Sequence, residues 1–198
     1  MLRYTLDTNC IYALEEERWG ADALRKLISA HGTESADVAL VAISASDRQL
    51  DGCWYESFDT FQSRLARLGI SHLPLLRPIG YWGITYWDWC AWAAPELLEL
   101  EQRIHRVLFP NEPLRWEDRL AALGEYPVPE LVDREYPKWR NRRCDDLALL
   151  SHVSNQRDVF VTSDGAFHQA TKVTRLIDLG AGRIARPDAL LALLNGVA

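Results

Sequence analysis

No two cysteines in this 198-residue chain stand close enough to clasp a zinc ion or to cycle as a redox pair. Cys10, Cys53, Cys90 and Cys144 lie dozens of positions apart, which excludes a Cys-x-x-Cys motif and predicts a reduced, cytoplasmic protein. Long apolar runs are also missing. The stretch from Val38 to Ile43 is far too short to cross a bilayer, and no signal-type apolar region accompanies the strand-like start at Leu2, so neither a membrane span nor a targeting segment is expected. Positive charge is in deficit: the formal net charge is −6, and a phosphate-bearing ligand must therefore be held locally, by a basic patch or by bound cations. The sequence has no Gly-rich phosphate loop and no Gly-x-Ser-x-Gly elbow, which leaves nucleoside-triphosphate and serine-hydrolase chemistry without support. The five histidines show no metal-ligand spacing.

The composition itself, 48 % hydrophobic and 25 % charged, is that of a folded globule, and the length suits one domain spanning residues 1–198. Leu2 to Leu6 reads as a strand that stops at Asp7, and the apolar positions Ile11, Leu14, Leu24, Leu27 and Ile28 then recur at helical spacing as one or two helices. Val38 to Ile43 is apolar on consecutive positions, as a strand covered on both faces must be; Val159 to Val161 repeats the pattern after a helical stretch from Asp146 to about Asn155. A short strand near Gly182 to Ala185 and a helix opening at Pro187 close the chain. Strands alternating with helices at both ends predict a three-layer α/β fold, a central parallel sheet flanked by helices. Residues 51–140 differ: they hold seven of the eight tryptophans and most of the prolines, and read as a mostly helical insertion within the domain.

Four aspartates occupy one recurring kind of place. Asp7 and Asp47 follow the first two strands, Asp164 follows a later one, and Asp146 opens a helix. Each alone reads as a turn or capping residue. Together they can converge, because residues at the carboxyl ends of parallel strands share one crevice. Converging carboxylates repel unless a hard cation sits among them, and oxygen ligands of this kind select Mg²⁺ or Mn²⁺. A dehalogenase-type phosphatase also begins with an aspartate after its first strand, but it needs a second aspartate two places on as proton donor, and Asn9 stands there.

The strings Leu6-Asp7-Thr8-Asn9, VALVAISASD ending at Asp47, DLALLSHVSNQRDVFVTSDGAF from Asp146 to Phe167, and GRIARPDALLALL resemble the PIN-domain family of metal-dependent nucleases, the fold shared by VapC-type toxins. The similarity covers about the first 50 and last 60 positions; the central insertion has no clear counterpart in the compact toxins. It implies that Asp7, Asp146 and Asp164 bind Mg²⁺ or Mn²⁺, with Asp47 a fourth catalytic aspartate where the family more often carries glutamate. Asp145 competes with Asp146 for the third place; the distance of Asp146 to Asp164 and its phase with Leu149 and Leu150 suit the family's motif better. It also implies that Asn9, Thr162 and Ser163 hold the cluster by hydrogen bonds. The expected activity is hydrolysis of phosphodiester bonds in RNA, leaving a 3′-hydroxyl and a 5′-phosphate. The partners to be expected are an RNA substrate, an antitoxin protein and a second copy in a homodimer. The alternative is a non-catalytic PIN-like module that binds RNA or protein through its insertion.

Two further features bear on substrate. Lys138, Arg140, Arg142 and Arg143 crowd before Cys144, where Arg140, Arg142 and Arg143 would either guide phosphate or form a solvated face paired with Asp133, Glu135 and Asp145. Tyr81, Trp82, Tyr86, Trp87, Trp89 and Trp92 would stack bases, form a partner interface, or pack a small core of the insertion.

Overall fold

The computed structural model describes residues 1–49, 52–124 and 126–194. Asp51, the expected first residue of the insertion, lies outside the described residues. Five strands form one all-parallel sheet: β1 (Leu2–Leu6), β2 (Ala36–Val41), β3 (Leu75–Leu76), β4 (Val159–Val161) and β5 (Arg183–Ala185), in the order β3-β2-β1-β4-β5. Leu6 pairs with Leu40 on one side and Val161 on the other, so three strands end level with one another. The helices are α1 (Thr8–Glu15), α2 (Ala21–Ser29), α3 (Phe58–Arg67), α4 (Pro95–Leu108), α5 (Trp116–Ala122), α6 (Pro129–Ser154), α7 (Ala170–Leu176) and α8 (Leu190–Leu194). The architecture is three-layer α/β, as the alternation of strands and helices requires.

The consecutive apolar residues of β2 serve two cores. Val38 and Leu40 face one, with Tyr4, Leu6, Val161 and side chains of α1, α2 and α3; Ala39 and Val41 face the other, with Phe160 and side chains of α4, α6 and α7. Side chains alternate across a strand, so covering both faces demands an unbroken hydrophobic run. The insertion is woven into both layers. Phe58, Phe61 and Leu65 of α3 join the first core, Ile104, Val107 and Leu108 of α4 join the second, and β3 adds an edge strand beside β2. The break between α1 and α2 sits at Gly20, whose φ of 92° and close approach to Pro187, 2.6 Å from where a Cβ would stand, admit only glycine.

α6 is far longer than the sequence suggests. It runs 26 residues through Pro137, so the whole basic run lies within the helix and not before it. No helix among the described residues is long and apolar enough to cross a membrane.

Near the end of α6, His152 is fully buried. Its Nε2 donates to the Ala181 carbonyl at 2.9 Å, which leaves Nδ1 to accept from the Thr5 hydroxyl at 2.9 Å. This is a neutral imidazole, and burial lowers its pKa to about 4. An unfolded chain binds that proton near 6.5, so His152 favours the native state fully above pH 6.5 and progressively less as pH falls to 4. The difference in unfolding free energy between the wild type and His152→Asn, measured in urea, should change by about 3 kcal/mol across this window. A pH-independent difference would assign the lost stability of the variant to packing alone.

Candidate active site

The strand order reverses about β1: β2 and β3 follow on one side, β4 and β5 on the other. In such sheets the crevice beyond the carboxyl ends at the switch point is where ligands bind. Asp7 and Asp164 lie at the ends of the two strands that flank it, and Asp47 follows the short 3-10 turn Ala42–Ser46 that leaves β2.

Asp7 caps α1 and is nearly buried. Its Oδ1 accepts from the Thr8 amide at 2.8 Å, and its Oδ2 accepts from Asn9 Nδ2 at 2.6 Å and the Thr162 hydroxyl at 2.7 Å. Thr162 Oγ1 in turn accepts from Asn9 Nδ2 at 2.8 Å and from the Asp164 amide at 3.0 Å, while Asn9 Oδ1 takes the Ser163 amide at 2.9 Å. A short side chain on each of two adjacent strand ends thus ties β1 to β4 and fixes the carboxylates of both. Asn9 and Thr162 hold the site through their side chains; Ser163 does so through its backbone. Asp164 accepts from the Ala166 amide at 2.7 Å, opening a 3-10 turn, and is partly exposed.

The electrostatics bind the carboxylates into one group. Burial, and then the charge of Asp164, push Asp7 up to about 6 against its three hydrogen bonds. Burial and the charge of Asp7 push Asp47 up to about 7, although the Thr8 hydroxyl, the Cys144 thiol and the Arg140 guanidinium all favour its anion. Asp145 is driven well above the carboxylate range by burial and by the charges of Asp47, Asp7, Asp164 and Asp146, in that order. Asp7, Asp47, Asp145 and Asp164 therefore feel one another's charge around the recess beyond the strand ends.

Asp146, the residue favoured by spacing, belongs elsewhere. Its Oδ2 lies 2.7 Å from both Arg143 Nη1 and His105 Nδ1, in the contact between α6 and α4. Adjacent helical residues point about 100° apart, so only one of the pair can face the strand ends. Trp139, Arg143 and Asp146 form one stripe of α6, toward α4; Arg140 and Cys144, one turn apart, bear on Asp47, and Asp145 follows them. Phase counted from Leu149 and Leu150 misses this because Leu147, Ala148, Leu149 and Leu150 are all buried in one core, so burial does not single out a face of the helix.

The same stripe corrects two of the three arginines. Arg143 is fully buried, paired with Glu101 and Asp146. Arg142 pairs with Glu112 at 2.9 Å. Arg140 alone stands by the recess: its Nε donates to the Ser46 carbonyl at 3.2 Å, its Nη1 to the Gly83 carbonyl at 3.1 Å, and its guanidinium lies over the Trp54 ring at 4.9 Å. On the opposite side Arg186, exposed and free of ion pairs among the described residues, donates to the Ser163 carbonyl at 3.3 Å. Sequence reasoning passed over it, although an arginine just past the last strand was a usable signal.

As the side chains stand, no three His, Cys, Asp or Glu groups among the described residues close on one point at ligand distances. The donor set nevertheless fits a hard divalent cation. Four carboxylates in one recess, three of them held above their ordinary range by burial and mutual repulsion, are what such an ion relieves. Sulfur and imidazole donors are absent from this set; the Cys144 thiol is itself pushed well up by burial and by Asp47 and remains a hydrogen-bond donor.

Compared with known proteins, the chain matches no protein-family model and no curated sequence, so the reading of this recess rests on its own geometry and charge.

Proposed function

We propose that the chain is a divalent-cation-dependent nuclease of PIN type acting on single-stranded nucleic acid, with RNA as the substrate that the sequence resemblance implies. The observation that carries this reading is the shared field of Asp7, Asp47, Asp145 and Asp164 at the carboxyl ends of β1, β2 and β4. A Mg²⁺ or Mn²⁺ ion held there would lower the pKa of a water molecule and offset charge on the scissile phosphate. The protein's part is to keep the carboxylates in register. Asn9 and Thr162 fix Asp7, and the Ala166 amide fixes Asp164. Arg140 and Arg186, on opposite sides of the recess, supply the cationic contacts that an acidic chain otherwise lacks, and so orient flanking phosphates.

The test is cleavage of a labelled single-stranded RNA in Mn²⁺ and in excess chelator. Products bearing a 5′-phosphate in Mn²⁺ only, together with a saturable rise of melting temperature as Mn²⁺ is added, are expected. Arg140→Ala and Arg186→Ala should each flatten the slope of log affinity against log salt by roughly 0.7. A Mn²⁺-stabilised protein that binds but never cleaves would instead favour a non-catalytic module.

A further inference from the structure

Between α4, α5 and α6 lies a cavity of about 720 Å³, walled by the rings of Tyr81, Trp82, Trp116, Tyr136 and Trp139. The rings form a connected wall. Trp116 meets Tyr136 edge-on at 5.1 Å and Trp139 at 5.5 Å, and Tyr136 continues to Trp54 at 6.2 Å, the ring on which Arg140 lies. Gly83, whose carbonyl takes the Arg140 Nη1, is on the cavity rim. One arginine thus touches the turn before Asp47 and the mouth of the cavity. Trp82, at that mouth, is 86 % exposed, an unusual cost for so large an apolar ring unless something covers it.

The charges of the cavity cancel. The lining holds two arginines, Arg115 and Arg143, and two glutamates, Glu101 and Glu117, and of these Arg143 is paired with Glu101. An anion or cation gains nothing there, whereas a flat, neutral ring with polar edges gains stacking on several faces. Trp139 is more than nine-tenths buried, and its indole N–H has no acceptor among the described residues.

We propose that this cavity receives one unstacked nucleobase of the single-stranded substrate, next to the phosphate that Arg140 holds. The inference rests on the nuclease reading for its substrate class, but base binding itself needs neither cation nor cleavage. It makes the enzyme selective for unpaired segments, since a base must leave its stack to enter.

The experiment measures binding of the full chain, in chelator, to a fluorescent RNA octamer of mixed sequence and to the same octamer with its bases removed. Wild type should prefer the base-containing strand. Trp82→Ala, which removes an exposed ring, and Leu98→Trp, which fills the cavity from α4, should each weaken that strand by about 5- to 100-fold. Their melting temperatures and their response to Mn²⁺ should not change. Equal affinity of wild type for both octamers, or variants that bind the base-containing strand as wild type does, overturns the proposal; the second result would point to a protein ligand. Base-dependent binding without cleavage in Mn²⁺ would retain the base site and reject the nuclease. Cleavage without base dependence would do the reverse.

Discussion

Asp146→Asn should destabilise the protein by about 3–5 kcal/mol while leaving its response to Mn²⁺ intact. The carboxylate lies between two cations in a fully buried site. Tyr81 and Arg143 donate to Glu101, Arg143 and His105 donate to Asp146, and His105 Nε2 reaches the Glu112 carbonyl at 2.8 Å. Both nitrogens of His105 face acceptors, so the ring is an imidazolium. Burial alone would lower its pKa, but the hydrogen bond and charge of Asp146, with the Glu112 carbonyl, outweigh that and raise it. Glu101, Arg143, Asp146 and His105 then sum to zero charge. Removing one anion leaves a buried cation uncompensated, which costs far more than losing an exposed pair.

In a chain of this size the loss corresponds to a fall in melting temperature of about 10 °C. Its His105 component has a sign. A raised folded-state pKa stabilises fully below the unfolded value of 6.5 and is lost as pH rises through the folded value, so the variant should suffer more at pH 5.5 than at pH 8.5. Calorimetry at the two pH values checks both statements. A variant as stable as the wild type would place Asp146 outside this network.

Asp145→Asn should do the opposite on every count. The asparagine is nearly isosteric with the carboxyl group and removes one member of a set whose charges repel, so the cation-free protein should melt higher, by about 2–4 °C for each kcal/mol relieved. Stabilisation by Mn²⁺ should shrink. On the nuclease reading, cleavage should fall beyond the roughly 10–100-fold that loss of an outer-shell partner costs, because the proposed cation site would lose one of its carboxylates. The two neighbouring aspartates should thus separate cleanly: on the nuclease reading, one variant would be unstable and active, the other stable and inactive. Cleavage by Asp145→Asn at the wild-type rate would remove this residue from the proposed site.

The sheet was legible because its strands announce themselves. The run Val38–Ile43 is explained only by two covered faces, and both cores are there. The places of Asp7 and Asp164 were legible for the same reason, since a residue just past a parallel strand has its position set by the sheet, whereas Asp47 stands one 3-10 turn beyond β2. Asp145 was not, because a helix position is fixed by rotation, and rotation is decided by what packs on each side. Here α4, from the insertion, supplies Glu101 and His105 and so claims Asp146. Nothing local in the strings around Asp146 carries that partner. Pro137 gives no local sign of this long helix either: proline ordinarily ends or kinks a helix, yet α6 continues through it to bring Trp139 and Arg140 into place. The exposed Trp82, Trp87 and Trp92 and the packed Trp89, which stacks on Phe58 at 4.3 Å, come from a single aromatic stretch, whose division between surface and core no composition reveals.

Because α6 is one rod of 26 residues, about 39 Å long, it also works as a ruler whose graduations cannot be respaced. A single residue inserted between Arg140 and Cys144 would turn the carboxyl half of the helix by about 100° against the amino half. Cys144 would swing to the place of Asp145, and Asp145 to the place of Asp146, beside His105. A single deletion would instead deliver Asp146 to the recess and an apolar leucine to the ion-pair network. A change of chain length should therefore be tolerated in a connection, such as the turn from Phe109 to Arg115 that follows α4, and should unfold or inactivate the site when placed between Trp139 and Asp146.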